Sequence, residues 1–209
     1  MFPPRRAFLL LVLAVAVPFT VPGRPARGDA VEDMLYSWLD NVMQCCVIKT
    51  PQKIIQIEDA DVQMIFPGDR FYAVYFVTRP RADIPKGLSP QTLVRIRRDR
   101  SVDPIPSEEA LGNFLALTLG NVRDDGQART TALASLRLAE AVAKAGSSPF
   151  EQPNISIVRQ GNNIVATARA AAQEPSRGEV AISLEFGADG QLNPDAIKIN
   201  DRTSPGPPS

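Results

Sequence analysis

The residues of this chain whose types could do chemistry are two adjacent cysteines, a run of arginines and two short acidic clusters. Cys45 and Cys46 would support thiol–disulfide chemistry. Neighbouring side chains on a helix point about 100° apart, so a ring between them requires a distorted peptide and would be strained and readily reduced. The plainer reading of this redox pair is two small thiols packed near Trp38 and Val42. With only two cysteines, a disulfide framework is excluded. Histidine is absent altogether. That removes the usual general base, the Ser-His-Asp and Cys-His arrangements and every zinc site that uses imidazole.

The basic residues Arg79, Arg81, Lys86, Arg95, Arg97, Arg98 and Arg100 face only Asp83 and Asp99 over the same stretch, a local excess of five positive charges. As an anion-binding patch they would hold an anionic envelope component or an acidic protein through guanidinium–oxoanion pairing. The structural alternative is that charges along a sheet edge prevent sheet-to-sheet association, and this is the favoured reading of the two. Glu58, Asp59 and Asp61 lack the Asp-x-Asp-x-Asp-Gly rhythm of a calcium loop and read as a solvated turn. Asp124-Asp125-Gly126 reads as a helix cap. No nucleophile elbow, phosphate loop or dinucleotide fingerprint is present. No cofactor or metal is therefore expected.

The first 30 residues set the address. Arg5 and Arg6 precede an apolar run of 11 residues (7–17), which Pro18, Pro22, Gly23 and Pro25 then break. Such a run fits a signal peptide and is too short to span a bilayer. Gly28-Asp29-Ala30 offers small residues for cleavage. Arg5-Arg6-Ala7-Phe8-Leu9 resembles the twin-arginine export pattern, with Pro4 where that pattern has a hydroxyl residue. The resemblance implies a folded cargo. The chain is thus expected to be exported, to the periplasm or beyond, with no stable membrane span after cleavage. Removing this segment takes away four Arg and one Asp, leaving 19 basic against 22 acidic residues, a net charge of −3. A mildly acidic domain does not suit nucleic acid.

Elements that could position these groups follow from periodicity. Val31, Met34, Leu35, Trp38, Leu39, Val42 and Met43 form one apolar stripe of a helix over 31–46. Strands are expected at 53–57, 62–66, 71–78 and 92–98. The third is apolar on both faces and so central, and the fourth is expected to turn Val94 and Ile96 inward and Arg95 and Arg97 outward. Pro104 and Pro106 are expected to stop the sheet. Helices follow at 107–119, capped by Ser107, and at 127–145, together a helical hairpin. Strands return at 154–159, 163–170, 179–186 and 196–199, with turns at Gly161-Asn162-Asn163 and Asp189-Gly190.

Because helices and strands are grouped rather than alternating, the fold class is α+β: antiparallel sheet packed on an N-terminal helix and a central helical hairpin. The domain covers 31–200, with halves at 31–104 and 105–200 that could be tandem helix-on-sheet units, and 201–209 is expected to be a disordered tail. The order of elements over 105–200 is similar to that of bacterial secreted inhibitor and envelope-assembly modules, a likeness of order without a shared motif. The expected function is a non-enzymatic binding or envelope-associated module. The alternative is a secreted enzyme working with Asp/Glu, Tyr and Arg, or a small-ligand binder with a pocket between sheet and helices. A cavity lined by Trp38, Tyr72 and Phe76 would favour a ligand, whereas a filled core there would favour a surface-acting module.

Overall fold

A computed structural model of the chain describes residues 30–43, 53–76, 87–145 and 148–204. Residues 1–29 of the expected leader (1–30), Cys45, Cys46, Arg79, Arg81 and Lys86 lie outside the described residues. The class is α+β, with two four-stranded antiparallel sheets, each in simple meander order, and four α-helices. The first sheet comprises β1 (Lys53–Gln56), β2 (Arg70–Tyr75), β3 (Gln91–Ile96) and β4 (Val102–Ile105). The second comprises β5 (Asn154–Gln160), β6 (Asn163–Ala171), β7 (Glu179–Phe186) and β8 (Lys198–Asp201). Helix α1 (Ala30–Met43) precedes the first sheet, and α2 (Ala60–Ile65) lies between β1 and β2. α3 (Glu108–Thr118) and α4 (Asp125–Glu140) separate the two sheets in sequence.

β2 is flanked by β1 and β3 and is buried on both faces, as its unbroken apolar run requires. Tyr72, Val74 and Phe76 join Val94 and Ile96 under Leu35 and Leu39 of α1, with Trp38 packed against them. That face is a filled core. Phe71 and Ala73 point the other way, into an apolar cluster shared with α2, α3, α4 and the inner face of the second sheet. α4 lies against α2 and against β5, β6 and β7. Its buried face is half alanine (Ala128, Ala132, Ala134 and Ala139), with Thr131 and Ser135 also small. Small side chains let a helix approach its neighbours closely on several sides.

Two expectations need correction. The expected strand 62–66 is helical rather than extended over 62–65, with Phe66 as the C-cap. Val62, Ile65 and Phe66 are the inward positions and Gln63 and Met64 are exposed, a helical spacing that so short an apolar run hides. Asp59 begins this helix, its Oδ1 accepting from the amides of Asp61 (2.9 Å) and Val62 (3.1 Å). Pro104 does not stop the sheet but sits within β4, opposite Val94, where an edge strand tolerates a missing donor. Of the expected tail, residues 201–204 are described and 205–209 lie outside the described residues. Asp201 closes β8, its Oδ1 accepts from the amide of Thr203 at 2.8 Å, and Ser204 pairs with Arg177.

Candidate functional site

β3 carries Arg95, the first described residue of the expected basic stretch, and it has no outward face there. α1 covers one side of the strand and α3 the other. Arg95 therefore lies over the Phe114 ring at 5.1 Å and donates from Nε to Asp69 at 2.7 Å. Its side chain is only 14% exposed, so the outward orientation expected for it is corrected. Arg97, just past the strand, pairs with Asp103 at 2.6 Å. Arg98 and Arg100 are exposed and form no ion pair among the described residues. They flank Asp99 at the tip of the β3–β4 hairpin, where the Arg100 amide bonds the Arg97 carbonyl. Arg100 holds φ at 71°, the left-handed region that favours glycine. The structure thus separates the described arginines into two that are internally paired and two at a hairpin tip.

A different set of groups converges where the first sheet meets the end of α4. Arg137 and Glu140, one turn apart in the last turns of α4, face Asp59 at the start of α2. Arg137 Nη1 donates to both Glu140 oxygens at 2.9 Å, and its Nε is 3.4 Å from Asp59 Oδ2. One carboxylate of Asp59 thus serves two purposes: Oδ1 caps α2 and Oδ2 faces the guanidinium. Burial raises the Glu140 pKa, with Arg137 pulling it back down. For Arg137, burial opposes the charge, but Glu140 and Asp59 outweigh it and raise its pKa. Burial also raises the Tyr75 phenol, to about 12. At neutral pH it is a proton donor and not a base.

These residues line a cleft of about 430 Å³. Ile55, Ile57, Ala73, Tyr75 and Phe150 supply apolar wall, and Glu58, Asp59, Arg137, Glu140 and Ser148 supply polar edge. Three further contacts fix its frame. Gln91 Nε2 donates to the Ala141 carbonyl at 2.8 Å, holding the end of α4 to β3. Ser176 Oγ donates to the Ala145 carbonyl at 2.9 Å and lies 2.8 Å from Ser148 Oγ. Three carboxylates against one guanidinium make the cleft acidic overall. Of the acidic residues noted in the sequence, Glu58 and Asp59 line it and Asp61 lies just beyond.

Arg137 and Glu140 escaped the sequence reading. On a helix, Arg and Glu three apart read as an exposed pair. The signal that distinguishes them is the composition around them: a helix rich in alanine and leucine on most sides is buried, and charges on it must find partners. Among the described residues no group of three or more His, Cys, Asp or Glu is placed to hold a metal ion. No described helix is long and apolar enough to cross a membrane. The chain matches no protein-family model, no curated protein and no solved structure.

Proposed function

We propose that the protein is an exported binding module, and that it takes its ligand in the cleft between β1, β2, the end of α4 and the segment 148–150. The observation that carries this reading is the pairing of apolar walls with a recessed, partly buried Asp59–Arg137–Glu140 network. Concave, mostly apolar sites with a few convergent polar groups of shifted pKa are where proteins bind small molecules and partner side chains. The charge balance selects the ligand's chemistry. An apolar body fits against Ile55, Ile57 and Phe150, and a cationic end complements the excess of carboxylate at the rim. Export rests on the n-region and apolar run of the leader. Native mass spectrometry of the protein purified from exporting cells tests the reading. A retained ligand is expected to be lost on Ile57→Trp, which fills the cleft, with the circular dichroism unchanged. The same bound mass in both proteins would contradict the proposal.

A second reading has its own observation. Arg100 occupies a backbone conformation that costs a non-glycine residue about 1 kcal/mol, beside exposed Arg98 at the same hairpin tip. An anionic envelope component or an acidic protein bound there would explain an arginine where glycine is the easier residue. Arg100→Gly is then expected to gain about 1 kcal/mol in urea denaturation and to lose salt-sensitive binding to anionic vesicles. Unaltered vesicle binding would contradict this second contact.

A further inference from the structure

Each sheet has two edges, and the four edge strands differ in how they are protected. β1, β4 and β8 are four residues long, and β4 carries Pro104. β5 has seven residues, contains no proline, and leaves Val158 48% exposed. A long edge strand without such protection is a template for further pairing.

The register states which backbone groups of β5 are free. Gln160 pairs with Asn163 around the two-residue turn Gly161-Asn162, in which Gly161 has a positive φ of 62°. In such a hairpin the closing pair is hydrogen-bonded, and bonded and unbonded pairs alternate from there. Asn154, Ser156, Val158 and Gln160 therefore direct their N–H and C=O groups to β6. Ile155, Ile157 and Arg159 direct theirs to the open edge. No described residue bonds these outward groups. Their side chains face the opposite way to Val158: Ile155 and Ile157 pack toward the core under α4, and Arg159 reaches Asp125 at 2.8 Å.

We infer that β5 pairs with β5 of a second copy of this chain, antiparallel and centred on Ile157, joining two second sheets into one of eight strands. The sequence of the strand is self-complementary in that register. Ile157 meets its own copy, Ile155 meets the apolar stem of Arg159, and Ser156 meets Val158. The one charge on the strand is already paired with Asp125 within its own chain, so no like charges oppose each other across the axis. The pairing covers Val158 and satisfies the outward backbone groups of three residues on each copy. A symmetric, self-complementary patch of this kind closes as a dimer rather than extending as a fibre.

The test uses the mature protein across a concentration series, with light scattering for mass and hydrogen exchange for individual amides. The dimer mass is expected to grow with concentration. In step with it, the amides of Ile155, Ile157 and Arg159 slow by about tenfold or more, while those of Ser156 and Val158 are slow throughout. Arg159→Pro removes an outward donor that the β6 ladder does not use and is expected to give a folded monomer. Arg159→Ala keeps that donor and is expected to remain dimeric. A monomer at every concentration with fast exchange at 155, 157 and 159 would overturn the inference. So would a dimer in which those amides stay fast, or slow exchange that is independent of concentration, which would place another segment of the same chain on the edge.

Discussion

Glu140 is the residue on which the cleft's chemistry turns. Its carboxyl is raised by burial in spite of Arg137 beside it, so the folded chain holds that proton more tightly than the unfolded chain does. Linkage fixes the sign. Between the ordinary glutamate value of 4.5 and the raised folded value, the folded state binds more protons. Stability attributable to Glu140 is therefore fully present below 4.5 and declines as the pH rises through the folded value. Glu140→Gln removes the titration while keeping a side chain of the same shape. Urea denaturation at several pH values is expected to show the variant gaining on the parent protein as pH rises across that window. A constant difference would mean that Glu140 titrates alike in both states. Arg95 shows the contrasting case. Packed over Phe114 and bonded to Asp69, it reads from composition as a surface charge but is enclosed on both sides.

At the scale of elements, what was legible from the sequence is what periodicity can carry over several turns or a full strand. The α1 stripe, the two-sided apolar β2 and the alternation of β6 and β7 all begin within one residue of their expected places. α2 was not legible as a helix because VQMIF is rich in strand-forming residues and spans little more than one turn. Only its flanks, Asp59 before and Pro67-Gly68 after, mark a helix. The cleft was illegible for a different reason. Its groups come from β1, β2, α2, the end of α4 and residues 148–150, and no local spacing records that they meet. Burial also refines the α1 stripe: Leu35 and Leu39 are 1% and 2% exposed, whereas Trp38 is only half-buried. Leu35→Ala is accordingly expected to cost about 2–5 kcal/mol. Trp38→Ala is expected to cost roughly 1.5–2.5 kcal/mol, less than a fully buried aromatic. Thermal or urea denaturation of the two variants reads the order directly, and a larger loss for Trp38 would place the helix in a different rotation on the sheet.

At the scale of the whole molecule, α4 links the two sheets, since it contributes to one apolar cluster with residues of both. A second tie lies at the far end of that helix. Gly190, at φ 81°, accepts from the Val122 amide at 2.8 Å, joining the α3–α4 connection to the β7–β8 link. A Cβ at Gly190 would meet the Val122 carbonyl oxygen at 2.3 Å, so this close approach requires glycine. The cleft sits where the other end of α4 leaves the first sheet, framed by Gln91 on one side and Ser148 with Ser176 on the other. Its shape therefore depends on both halves of the chain. The measurement that tests binding there most directly is a chemical-shift titration of the folded protein with hexylammonium and, separately, with hexanoate. Saturable shifts at Ile55, Ile57, Tyr75 and Phe150 are expected with hexylammonium and not with hexanoate, and Ile57→Trp is expected to abolish them. Equal responses to the two probes, or shifts confined to residues outside the cleft, would contradict the proposed site.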